Sequence, residues 1–407
     1  MRAPRLLLLP LLLVGLLLFP MLLPSAFPGP GQIVAEEEAL EFTYSSSIVY
    51  KNNGTGTWRL SELDVAVGLF FNTSWQSVEL VWTNWPIERV VEDRDGNKWA
   101  ILAVPDMELE PGESLNISAR YKMISAPREC PDISIESSGH LSDIPEDLKN
   151  DFTGPGACWL TEDEELRELA FSLSAGKTNV LEIIASFVEW IGDNVQYASF
   201  EIPLYPNETY KNGLGDCDDQ ANLFITLCRI VGIPAYLQIG CIYAPMTFYY
   251  SEMIWKGHIT VDVKNVGWHG WAVAYVPPWG WLPVDLTIGD VKADPLNAIR
   301  GAAIWHQYTI WAMNIRESDY VGGTRAMRAF VIENDIYIYE KEEMVLVGKA
   351  PFEEPDMTMV YVLITAVCTT TAICLMGLVF FLTRRRAPYQ PRALKEPYTS
   401  RTNRSRA

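Results

Sequence analysis

The sequence predicts an α+β chain in which a run of helices leads into an antiparallel sheet. A β-sandwich domain precedes this core, and a single C-terminal transmembrane helix follows it. Three observations predict this. Helical periodicity over residues 164–231 gives way to strand-like runs after Pro234, an order of helices then strands rather than alternating βαβ. Short strand-like runs, punctuated by turn dipeptides, fill residues 38–125. Met357–Leu382 carries no charge and is followed by Arg384, Arg385 and Arg386.

With 407 residues the chain has room for two or three domains. Its hydrophobic fraction of 49% argues against wholesale disorder. The net charge is -19, although residues from Arg384 onward hold eight Lys/Arg and one Glu, so the acidic excess lies before them. An acidic body excludes nucleic acid as a partner, since phosphate binding needs a basic face. It suits an outward-facing domain.

In chain order, residues 1–35 carry Arg2 and Arg5 and then an apolar run, Leu6 to Leu23. This is a signal peptide or an uncleaved signal anchor, and both stay open. Residues 36–125 form the predicted sandwich, with turns at Asn53-Gly54, Asp95-Gly96-Asn97 and Pro111-Gly112. Residues 126–160 are a loop-rich linker. Residues 161–350 form the helix-then-sheet domain and a C-terminal extension. Residues 351–356 are an acidic juxtamembrane linker, 357–383 the membrane span and 384–407 a basic cytoplasmic tail. The positive-inside rule puts the tail in the cytoplasm and the body outside the cell membrane. Four sequons agree with that topology: Asn53, Asn72, Asn116 and Asn207 are glycosylation candidates. Cys130 and Cys158 flank a loop-rich segment and are a disulfide candidate in an oxidising compartment.

The domain begins with acids at Glu162, Asp163 and Glu164 before Leu166–Leu173. A second helix covers Asn179 to Val195, with Val180, Ile183, Ile184, Phe187, Trp190 and Ile191 on one face. The stretch Gly213 to Pro234 then carries the chemistry. Gly213 and Gly215 permit a tight turn, Asp216 caps a helix, and Gly232 and Pro234 stop it. Ala221, Phe224, Leu227, Cys228 and Val231 mark one core-facing side. Cys217 therefore starts a helix, where free N–H groups favour a thiolate. Asp216, Asp218 and Asp219 oppose one if they lie close; if Asp218 and Asp219 point to solvent, they help instead to repel or select charged acceptors. Strands are expected at Ala235–Tyr243, His258–Val263, Gly270–Val276 and Trp281–Asp285.

A cysteine nucleophile needs a histidine base and a group to orient it. His269 opens the first strand of a hairpin that turns at Pro277-Pro278-Trp279-Gly280, and Asp285 closes the second. Hairpin geometry returns Asp285 to His269. His258 is a rival without a carboxylate at a comparable place. No CxxC or HExxH occurs, so neither a metal nor another cofactor is expected.

Gly215-Asp-Cys217-Asp-Asp-Gln-Ala221 with Leu227-Cys-Arg229-Ile-Val-Gly232-Ile-Pro234-Ala235 resembles the nucleophile segment of the transglutaminase-like superfamily. Trp268-His269-Gly270-Trp271 and Gly280-Trp281-Leu-Pro283-Val-Asp285-Leu-Thr287 resemble its histidine and aspartate segments. The resemblance covers roughly residues 160 to 290. It implies a papain-like cysteine fold, with Cys217 as nucleophile, His269 as general base and acid, and Asp285 orienting His269. It implies amide-bond cleavage or transfer on a protein or peptide through a thioester. Two positions depart from the pattern: Gly270 stands where Ala is common, and Val273 where an acid is common. The alternative function is a non-catalytic cell-surface adhesion or scaffold protein with the same fold.

Overall fold

The computed structural model describes residues 38–156, 158–244 and 249–352. The expected signal segment, membrane span and basic tail lie outside these. Among the described residues no helix is long and apolar enough to cross a membrane.

The first elements are strands: β1 (Ala39–Asn52), β2 (Trp58–Arg59), β3 (Ala66–Leu69), β4 (Gln76–Thr83), β5 (Ile87–Glu92), β6 (Lys98–Leu102), β7 (Glu108–Leu109) and β8 (Ser114–Ser125). In β8 every second residue from Leu115 to Ser125 is buried and the intervening ones are more exposed, the period of a sheet with one wet face. Helices follow: α1 (Glu146–Phe152), α2 (Glu164–Leu173) and α3 (Val180–Asn194). Asp163 caps α2 and Asn179 caps α3 through their side chains. Strand β9 (Gln196–Tyr197), helix α4 (Pro206–Asn212) and strand β10 (Leu214–Gly215) then lead into α5 (Cys217–Ile230).

The remaining elements are β11 (Ala235–Tyr243), β12 (Tyr249–Ile254), β13 (Ile259–Lys264), β14 (Val266–Val276), β15 (Gly280–Val284), α6 (Asn297–Trp305), β16 (Thr309–Ile315), α7 (Tyr320–Glu333) and β17 (Ile336–Ala350). Four of the strands make one antiparallel sheet in the order β15-β14-β11-β16, and α5 packs on β14. A second sheet has the order β12-β13-β17-β1-β8-β4, and β3-β6-β5 form a third.

Two expectations change here. The His258–Val263 run, expected in the sheet with His269, is β13 and joins the other sheet, in parallel with β17. In the C-terminal extension, where the sequence predicts strands at Asp335–Tyr339 and Met344–Val347 leading to the membrane, one long strand is zipped to β1 from Ala39↔Ala350 to Asn52↔Ile336. The N-terminal strands therefore share a sheet with the C-terminal extension. A single apolar core runs through both. Trp268 on β14 packs edge-on against Tyr44 and Phe70, and its indole N–H donates to Glu342 at 2.8 Å. The residue before His269 is thus anchored by β1, the β3–β4 connection and β17 together.

Helix α5 differs from its prediction. Every residue from Cys217 to Arg229 is buried, not one face alone. Helices α2, α3 and α4 and strand β14 surround it. Its polar residues find internal partners, as buried polar groups must. Gln220 Nε2 donates to Gly215 O (3.0 Å), Thr226 to Asn222 O (2.8 Å), and Asn222 Nδ2 to the Tyr320 hydroxyl. At its C-terminal end, Arg229 donates to Ala235 O at 2.8 Å and lies 4.0 Å from the Trp159 ring centroid. A cation there complements the helix dipole.

Candidate active site

Cys217 is the first residue of α5 and is 2% exposed. Two short devices set its position. β9 pairs with β10 in parallel, placing Tyr197 opposite Gly215. A reciprocal capping box then joins Asp216 and Asp219 at the helix start. Gly215 is required by space: a Cβ there would sit 2.8 Å from Asp219 Cβ and 2.9 Å from Thr209 Cγ2.

His269 and Asp285 are buried at 0% and 1% exposure and meet as the hairpin predicts. His269 Nε2 lies 2.6 Å from Asp285 Oδ2. The other carboxylate oxygen accepts from the Thr287 N–H (3.1 Å) and hydroxyl (3.0 Å). Burial pushes the Asp285 carboxyl up, but His269 and the Thr287 N–H outweigh it, and the group is held below its ordinary value. His269 Nδ1 is buried and has no partner. With Nε2 committed to Asp285, Nδ1 is the ring nitrogen left to exchange a proton. The Gly270 N–H, next in the chain, acts on the Cys217 sulfur and favours its ionised form. The two sequence segments therefore come together where Gly270 meets the first turn of α5.

None of the three aspartates points to solvent. Asp216, Asp218 and Asp219 are buried at 1%, 0% and 0% exposure. Asp219 accepts from the Leu204 N–H at 2.7 Å and Asp218 from the Tyr320 hydroxyl at 2.6 Å. Burial first, then Asp219 and Asp218, push the Asp216 carboxyl well up.

The thiolate expectation also changes. Burial first, then Asp216 and Asp218, push the Cys217 thiol well above its ordinary range, against the Gly270 N–H and the helix start. Cys217 rests as a thiol. Oxygens of Asp216 and Asp218 and the Cys217 sulfur lie within 4.8 Å of one another, a spacing that can hold a metal ion.

Tyr197 was not singled out from sequence. Its hydroxyl is buried without a partner, and burial, Cys217, Asp216, Asp218 and Asp285 keep the phenol firmly protonated. It is a neutral O–H donor beside the thiol. Tyr320 was missed as well, because it reaches α5 from α7, about 100 residues on. Only the β9–β10 pairing and the α7 packing reveal these two, and neither leaves a local sequence signal.

The other singled-out residues lie elsewhere. His258 stacks on Tyr337 and bonds Ile336 O at 2.8 Å, as a packing residue. Cys130 is half-buried, Cys158 is buried, and both thiols are free in this structure. Asn53, Asn72 and Asn116 are exposed, and Asn207 is half-buried in α4, its amide donating to Asp163 at 3.3 Å.

Residues 167–286 match the family model of the transglutaminase-like superfamily. No curated protein matches the chain. Among solved structures, a candidate cysteine protease from Cytophaga hutchinsonii aligns at 19% identity and TM-score 0.45, covering 78% of this chain and 93% of that one. A candidate protease from Parabacteroides distasonis aligns at 11% identity and TM-score 0.22, covering 69% and 68%. The matched interval holds Cys217, His269 and Asp285.

Proposed function

We propose that this chain is a thiol enzyme that cleaves or transfers amide bonds of proteins or peptides through a thioester on Cys217. The observation that carries the reading is the buried His269–Asp285 pair at 2.6 Å, with His269 Nδ1 unpartnered and the neighbouring Gly270 against the first turn of the Cys217 helix. In the proposed reaction His269 Nδ1 takes the thiol proton as sulfur attacks the amide carbonyl. The tetrahedral oxyanion collapses, the C–N bond breaks, and His269 returns the proton to the departing amine. Water or a second amine then attacks the thioester, giving a free acid or a new amide, and Cys217 regains its proton. Asp285 keeps Nε2 protonated and Nδ1 open. The Cys217 backbone N–H and the Tyr197 hydroxyl are the proposed oxyanion donors. We further propose that the body faces outward from a membrane, held by the 357–383 segment.

The second reading is a scaffold with the same fold, and the burial of Cys217 favours it. One experiment separates them. A model glutamine peptide is incubated with the full-length chain, with and without a primary amine. The enzyme yields glutamic acid or the amine adduct, and Cys217→Ala yields neither. Equal product from Cys217→Ala would remove Cys217 from the mechanism.

A further inference from the structure

A cleft of about 580 Å³ opens on the face of β11, β14 and β16 that carries the His269 ring. Alternate residues of a strand share a face, so His269, Trp271 and Val273 point the same way, and Val273 lines the cleft. Trp271 bridges the two places. Its ring lies 5.9 Å from His269 and 4.5 Å from His306, which also lines the cleft. The walls are aromatic: Trp75, Tyr236, Trp281 and Trp311. The volume is in the range of ordinary ligand sites, about 300–1,000 Å³.

Two polar side chains in this lining each hold a buried nitrogen without a partner. Arg128 lies 5.2 Å from the Trp75 ring centroid and donates from one terminal nitrogen to Thr309 O at 3.1 Å. Its Nε is buried with no acceptor, and no carboxylate among the described residues pairs with it. Burial pulls the guanidinium down to about 9, so it stays charged at neutral pH. His306 is 2% exposed and its Nε2 is buried and unpartnered. Burial and then Arg128 push it well below its ordinary value, so it is a neutral imidazole that can donate one hydrogen bond. A desolvated cation beside an idle donor, both walled by aromatic rings, is costly without an anion between them.

We propose that this cleft binds a carboxylate of the peptide substrate, held by Arg128 and His306, with the aromatic walls packing the flanking chain. A peptide offers a carboxylate from a Glu or Asp side chain or from its own C-terminus, and the chemistry of recognition is the same. The proposal rests on the thiol-enzyme reading only for where the reacting bond sits.

The test reads binding without turnover, in full-length protein carrying Cys217→Ala. Tryptophan fluorescence follows titration with three peptides of one glutamine-containing sequence: neutral and amidated, amidated with an added Glu, and neutral with a free C-terminus. The expected result is about tenfold tighter binding of one acidic peptide than of the neutral one, as charge-assisted hydrogen bonds provide. Which peptide gains identifies the source of the carboxylate. Arg128→Gln removes the gain, and Arg128→Lys, which keeps the charge without the planar fork, retains part of it. Equal affinity for all three peptides overturns the proposal, whatever the variants do, and so does a gain that survives Arg128→Gln. A carboxylate preference that persists while the glutamine assay gives no product would leave the subsite standing and the proposed reaction refuted.

Discussion

Gly270 stands between His269 and the nucleophile helix, and Gly270→Ala tests how tightly the two halves of the site are held. A Cβ built there meets Asp218 Cβ at 2.9 Å and Asp218 Cα at 3.5 Å. Non-bonded carbons settle at about 3.5–4.0 Å, so β14 and the first turn of α5 must separate by roughly 0.6 Å or more. The obstacle is Asp218 near its backbone, and its carboxylate is tied to Tyr320, so little can rotate away. Overpacking of this kind costs about 1–3 kcal/mol. The same displacement stretches the Gly270 N–H contact with the Cys217 sulfur, and misplacement on the order of 1 Å costs about 100-fold in rate. Urea denaturation gives the first quantity and glutamine-peptide kinetics the second. Asp218→Gly removes the obstructing carbon, so in that background Gly270→Ala should cost at least about 1 kcal/mol less. Wild-type stability and rate in Gly270→Ala, or equal costs in the two backgrounds, would refute the close approach.

Two further outcomes follow from the site. Alkylation by iodoacetamide, mapped by peptide mass, should reach half-buried Cys130 before Cys217 at neutral pH. The Cys217 rate should climb about tenfold per pH unit into the alkaline range, because its thiol is raised; rapid labelling flat with pH below 7 would contradict the resting thiol. Tyr320→Phe removes the hydroxyl that serves Asp218 and leaves a buried carboxylate oxygen unpaired, at about 1–3 kcal/mol of stability in denaturant melts. An unchanged midpoint would show that water replaces it.

Helix α5 was legible almost to the residue, because Asp216 and Gly232 punctuate it and punctuation is local chemistry. The His269–Asp285 pair was legible too, because a hairpin returns two residues to one place by its turn alone. The surroundings of Cys217 were not. A cysteine at a helix start reads as a thiolate site, and the placement of the first-turn aspartates stays open. The thiolate reading fails because α2, α3, α4 and β14 close over that turn, and burial reverses the sign of the effect on the thiol.

The partition has one physical cause. The sequence by itself determined what depends on neighbours along the chain: the caps, the turns, the helix-then-strand order, and the three residues of the candidate triad. Tertiary structure alone decided what depends on distant segments meeting. It zipped β17 onto β1, brought Tyr320 to Asp218, put Tyr197 beside the thiol, and faced Arg128 with His306 across an aromatic cleft. Protonation belongs to that second class, because it follows local dielectric and charge, and both are made by packing.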